Sequence, residues 1–148
     1  MEIGATAIVD GTHTQAETIV RKLKLAAESD SDAGGFYKNR AQIRRAVKNS
    51  ELKCYVLGRT IVGFAAVTHR SCCFSIDILV IFEQFRGYGH GRDFAVNVMK
   101  RMYSQGAPHI EVTCVPERSE PFWRGLGFTC GPNPSNETFP RTLVRNIG

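Results

Sequence analysis

One short segment constrains this chain more than any other. Gln84-Phe85-Arg86-Gly87-Tyr88-Gly89-His90-Gly91 stands between a long apolar stretch, residues 72–82, and a helically spaced stretch carrying Phe94, Val98 and Met102. Glycine reaches positive φ without steric cost and lets a ligand approach the backbone closely. The helix that follows opens with N–H groups that have no intrahelical acceptor. A strand, a glycine-rich turn and a helix start, in that order, make an anion cradle, and Arg86 adds a fixed positive charge. A phosphate or pyrophosphate suits such a cradle, and the chain is expected to be α/β.

Three phosphate-binding patterns compete for the segment. A P-loop needs G-x-x-x-x-G-K-[ST], and the chain holds no Gly-Lys pair. A dinucleotide fingerprint needs G-x-G-x-x-G, but counting from Gly87 the last position is Arg92. The third pattern, R/Q-x-x-G-x-G/A, is met by Arg86-Gly87-Tyr88-Gly89-His90-Gly91.

The rest of the chain supplies a setting for this loop. Residues 3–9 read as a first strand. Thr14-Gln15-Ala16-Glu17 reads as a capping box, and Ala16, Ile19, Val20, Leu23, Ala26 and Ala27 behind it keep helical spacing to about Glu28. Residues 29–35 read as a polar connection, and residues 36–49 as a second helix with Lys38, Arg40, Arg44, Arg45 and Lys48 and no acid. The pattern then changes period. Residues 53–57 and 60–68 form a hairpin about Gly58-Arg59, and residues 72–82 are apolar enough for a central strand. After the glycine loop and its helix, residues 110–115 read as a strand and Ser119 as the cap of a short helix with Pro121 in its first turn. Residues 128–130 and 141–147 read as two last strands. The order is β-α-α-β-β-β-α-β-α-β-β, with mixed pairing.

Composition narrows the classes. At 148 residues, 43% hydrophobic and 22% charged, the chain suits one soluble domain, and its longest apolar run, residues 78–82, is strand-sized. A net charge of +5 favours an anionic ligand. Its first residues carry no secretory pattern, so a cytoplasmic protein is expected. The five cysteines, an odd number without C-x-x-C, point to buried thiols in strands and not to disulfides or a zinc site.

The glycine loop is also where the chain resembles a known family, the GNAT superfamily of acetyl-CoA-dependent N-acetyltransferases. Residues 83–89 look particularly like the loop of the histone acetyltransferase branch. A second stretch, Phe122-Trp123-Arg124-Gly125-Leu126-Gly127-Phe128, is similar to the family signature F-Y-x-x-x-G-F at the expected distance. The element order and length match across nearly the whole chain. The resemblance implies a single domain over residues 1–148. It implies a twisted, mostly antiparallel mixed sheet of six to seven strands flanked by about four helices.

It also implies roles for individual residues. Leu79, Val80 and Ile81 would pair through their backbones with the pantetheine arm of acetyl-CoA. Arg86, Gly87, Tyr88, Gly89, His90 and Gly91 would hold the pyrophosphate, and Phe122 and Trp123 would flank the thioester. The reaction would be direct attack of a neutral amine on the thioester in a ternary complex, with no metal. Candidate proton acceptors are Asp77, inside an apolar strand, Glu83, at the mouth of the loop, and Glu111, on the strand after it. Trp123 stands where the family usually has a tyrosine that protonates the departing thiolate. An indole N–H donates a hydrogen bond but does not give up its proton at neutral pH, so Ser119 or water would take that part. The expected partners are acetyl-CoA and an amine acceptor, a protein or peptide amine ahead of a small-molecule amine. The protein would be a monomer or homodimer that engages neither nucleic acid nor membrane. A CoA-binding module without chemistry is the alternative.

Overall fold

The computed structural model describes residues 5–70, 73–114, 116–130 and 141–147. Its six strands stand in one mixed sheet in chain order. They are β1 (Thr6–Asp10), β2 (Leu52–Leu57), β3 (Thr60–Arg70), β4 (Cys73–Ile81), β5 (His109–Thr113) and β6 (Thr142–Asn146). Among the described residues five α-helices accompany them: α1 (His13–Ala26), α2 (Ser31–Lys38), α3 (Arg40–Ala46), α4 (His90–Ser104) and α5 (Glu120–Gly125). β4 is a central strand, as its apolar content requires. The chain divides into two compact units, residues 1–66 with 80–85 and residues 67–79 with 86–148; β3 and β4 run through both.

In the first unit β1 pairs antiparallel with β2, Thr6 opposite Leu57 and Asp10 opposite Lys53. Lys53 Nζ meets Asp10 Oδ1 at 2.6 Å. β2 and β3 form the expected hairpin, turned by Gly58 at φ 62°, with a bulge at Tyr55/Val56. Ile19, Leu23, Ile43, Leu52, Tyr55 and Phe64 are fully buried here. Each such side chain contributes about 1.5–3 kcal/mol through its removal from water.

Three sequence expectations are corrected in this unit. The capping box lies two residues earlier. Thr12 Oγ1 accepts from Gln15 N at 3.1 Å, and Thr12 N donates to Gln15 Oε1 at 3.0 Å. The polar connection 29–35 is largely helical, because Ala33 and Phe36 bury on one face of α2. The helix expected over 36–49 is broken at Asn39, whose φ of −93° and ψ of 19° start α3 afresh. The basic face of α3 is also less uniform than its sequence: Arg44 holds Glu17 of α1 with two hydrogen bonds, at 2.9 and 3.0 Å.

In the second unit β5 pairs antiparallel with β6 over their whole length. α4 buries Phe94, Ala95, Val98, Met99 and Met102. Gly127, at φ 95°, ends the helical turn after α5. The strand expected at 128–130 reduces to a single bridge, Thr129 opposite Val144. Arg145 ties three elements together: Nε donates to the Leu126 carbonyl at 3.0 Å, Nη1 donates to the Tyr103 hydroxyl at 2.9 Å, and the Tyr103 hydroxyl donates back to the Arg145 carbonyl at 3.0 Å.

The thiols are only partly as expected. Cys54 and Cys114 are buried, but Cys73 is exposed and Cys130 half-buried. Cys72 lies outside the described residues, as do residues 131–140. Burial pushes the Cys54 thiol up to about 12 and raises that of Cys114, which makes both inert near neutral pH.

Candidate functional site

The glycine loop lies in the second unit. Gly89 is the N-cap of α4 at φ 82° and ψ 6°, and as a glycine it has no side chain with which to cap the helix start. Gly87 is also left-handed, at φ 87°. A Cβ built on either glycine meets nothing within 4 Å. The protein therefore does not crowd these positions. Glycine is needed for the backbone conformation, and the space before it is open. Arg86 and Tyr88 are exposed, Tyr88 at 76%. His90 is half-buried, with its ring 6.2 Å from that of Tyr88. The one acid of the first helical turn, Asp93, accepts from Asn97 Nδ2 at 3.2 Å. Helix-start donors, positive-φ glycines and a nearby guanidinium suit a phosphate group.

β4 and β5 pair in parallel only at Ser75–Glu111 and Ile76–Val112. Beyond Ile76, β4 continues, and Asp77, Ile78 and Leu79 have no ladder partner on β5 among the described residues. Buried and half-buried positions alternate along β4. Phe74, Ile76 and Ile78 therefore point to one face, and Ser75, Asp77 and Leu79 to the other. Register puts Glu111 beside Ser75 on that second face.

Two of the acids singled out from the sequence are thus brought onto one face. Asp77 is held in place, because Oδ1 accepts from Ser75 Oγ and Oδ2 from Thr68 Oγ1, each at 2.8 Å. A carboxylate offers about four lone-pair positions, so these bonds orient it and leave acceptor capacity over. Glu111 is exposed, with His109 Nε2 at 4.0 Å from Oε1.

Ser119 and Trp123 sit at α5. The Ser119 hydroxyl does not cap the helix as expected. Its backbone is helical at φ −78° and ψ −11°, whereas a capping side chain needs an extended one. Its Oγ is buried with no hydrogen-bond partner among the described residues. Trp123 is 5% exposed and packs edge-to-face between Phe122, at 5.0 Å, and Phe128, at 5.5 Å. Phe122 is half-buried.

The other singled-out residues lie in the first unit. Val80 is buried and Ile81 half-buried. A Cβ on Gly63 of β3 would overlap the Val80 carbonyl oxygen. Glu83 is exposed on a 3-10 turn, Glu83–Phe85, whose first bond is Phe85 N to Phe82 O at 2.9 Å.

Sequence reasoning missed the hydroxyls of Thr68 and Ser75. Ser75 could have been found from its place two residues before Asp77 on one strand face. Thr68 depends on strand register, which no local pattern reveals. Sequence reasoning also missed a cleft of about 620 Å³ in the first unit, lined by Lys22, Leu25, Ala26, Phe82, Glu83 and Gln84. Among the described residues, no group of three or more His, Cys, Asp or Glu side chains is placed to hold a metal ion. None of the described helices is long and apolar enough to cross a membrane.

No protein-family model matches the sequence, and no curated protein matches it. Solved structures do. PaiA N-acetyltransferase from Thermoplasma acidophilum, in complex with coenzyme A, matches with a TM-score of 0.76 at 10% identity, over 97% of this chain and 99% of that one. Ard1 from Thermoplasma volcanium matches with a TM-score of 0.72 at 16% identity, over 97% and 99%. N-acetylglutamate synthase from Neisseria gonorrhoeae, complexed with coenzyme A and N-acetyl-glutamate, matches with 0.69 at 15% identity, over 99% of this chain and 36% of that one. The chain has the fold of the GNAT N-acetyltransferases.

Proposed function

We propose that this protein is an acetyl-CoA-dependent N-acetyltransferase, a single domain over residues 1–148 that moves the acetyl group to a primary amine. The observation that carries the reading lies within the second unit. There a central strand has no ladder partner on β5 after Ile76 among the described residues, and a glycine loop with two left-handed residues opens into a helix whose N-cap is itself a glycine. Both features call for a ligand that is extended at one end and anionic at the other, which describes coenzyme A. Neighbours that hold coenzyme A on the same fold support it.

In this reading the amides of Gly87, Gly89, His90 and Gly91 hold the pyrophosphate, Arg86 adds charge and Tyr88 covers it. The backbone about Leu79 takes the extended arm. Bound acetyl-CoA supplies the thioester carbonyl, and the chain must orient an amine and accept its proton. Asp77 is the better-oriented acceptor of the two acids on the shared face, because Ser75 and Thr68 fix its carboxylate. Trp123 fills space and donates no proton to sulfur. A thiol with a pKa of about 8.5 leaves acceptably without an acid.

Thiol release from acetyl-CoA across a panel of amines tests the proposal. Turnover is expected, with Asp77→Asn lowering kcat more than Glu111→Gln does. One observation favours the alternative of a CoA-binding module: the buried Trp123 leaves no phenol in its place. Tight coenzyme A binding without turnover on any amine selects that module.

A further inference from the structure

The cleft of the first unit has a composition of its own. Its floor is Phe82, which is buried, fixed by a bond from its N–H to the Val62 carbonyl at 2.9 Å and backed by Phe64 with ring centroids 6.0 Å apart. Lys22 is half-buried and carries its ammonium 5.1 Å above the Phe82 ring, which holds a positive charge over an apolar surface. Leu25 and Ala26 of the same helix extend that surface, and Leu25 is 66% exposed. Glu83 and Gln84 form another part of the lining. Neither Lys22 nor Glu83 has an ion-pair partner among the described residues. A volume of about 620 Å³ falls in the ordinary range of small-molecule sites, roughly 300–1,000 Å³, and such sites are mostly apolar with a few placed polar groups.

An apolar floor with one unpaired cation and one unpaired anion is complementary to a small zwitterion bearing an apolar side chain. We propose that this cleft binds a free α-amino acid of that class, its carboxylate on Lys22, its ammonium on Glu83 and its side chain against Phe82, Leu25 and Ala26. The proposal stands on the cleft alone and goes beyond the proposed acetyl transfer. The charge requirement is its distinguishing content. A peptide amino terminus lacks the adjacent carboxylate, and a polyamine would meet only Glu83.

Calorimetric titration with three probes tests it: L-leucine, L-leucinamide, which lacks the carboxylate, and 4-methylpentanoate, which lacks the ammonium. Saturable binding of leucine is expected, with each of the other two at least tenfold weaker. Lys22→Met should make leucine and leucinamide bind alike while preserving the preference over 4-methylpentanoate. Glu83→Gln should do the reverse. Leucinamide or a leucyl peptide binding wild type as tightly as leucine overturns the proposal, as does discrimination that survives both substitutions. Coenzyme A affinity, measured on the same wild-type samples, separates the two readings. Coenzyme A binding without leucine binding sinks the cleft alone, and leucine binding without coenzyme A binding sinks the acetyl-transfer reading alone.

Discussion

Two glycine-dependent places in this molecule use the residue for opposite reasons. At Gly63 the backbone has an ordinary strand conformation, and the missing side chain matters because β4 lies against it: a Cβ would overlap the Val80 carbonyl oxygen and press on Ile81. At Gly87 and Gly89 there is ample room, and the backbone itself is left-handed. The first glycine is fixed by what the protein has already built. The second pair is fixed by a left-handed conformation that faces open space and that glycine adopts without steric cost. Crowding thus fixes Gly63, whereas backbone conformation fixes Gly87 and Gly89, as it does Gly58 in the hairpin turn.

That contrast can be tested from its strongest side first. Gly63→Ala should lower stability by about 1–3 kcal/mol, since an added carbon in a packed place displaces a strand. Urea midpoints measure the loss, and a midpoint equal to wild type would remove the distinction. Gly89→Val should act mainly on the ligand: acetyl-CoA affinity falls at least tenfold, about 1.4 kcal/mol, by calorimetry. Unchanged affinity would end the assignment of this loop. Arg86→Ala should cost a few-fold in affinity, and the difference from wild type should shrink as salt is raised, because the guanidinium is exposed.

The smallest effect belongs to the pair outside both places, Glu17 with Arg44. The hydrogen bond from Arg44 holds the Glu17 carboxyl below its ordinary value, so its contribution is present above the unfolded carboxylate pKa and lost as pH falls through the lowered one. Glu17→Gln should flatten that acid limb slightly and leave stability at pH 7 nearly unchanged, as urea melts at pH 3 and pH 7 would record.

The sequence was most legible where a residue type is dictated by its own backbone. The turn glycines 58, 87, 89 and 127 were read correctly for that reason, and β4 was read as a central strand from its apolar content. Reading failed where two local signals compete or where the partner is distant. Thr12-x-x-Gln15 and Thr14-x-x-Glu17 both suit a capping box, and only the entry of the chain from β1 decides between them. Gly34 and Gly35 argue against helix on propensity, but the burial of Ala33 and Phe36 outweighs them. Part of the candidate site was readable as motif: the loop, Asp77 and Glu111. The clamp on Asp77 by Thr68 and the cleft over Phe82 were not, since each joins residues that only strand register or helix docking brings together.

The early end of the β4–β5 ladder has a further consequence. Among the described residues it gives the sheet an internal edge, a short row of peptide groups that water must serve whenever nothing else does. Amide protons on the β5 side of residues 77–79 should exchange faster than those at Ser75 and Ile76. A ligand that completes the row would bind the folded chain alone and add stability by mass action, about 2.7 kcal/mol at a hundredfold excess over its Kd. Depletion of that ligand would leave this internal edge open to strand pairing with a neighbouring molecule, so the amount of bound ligand would bear on solubility as well as on turnover.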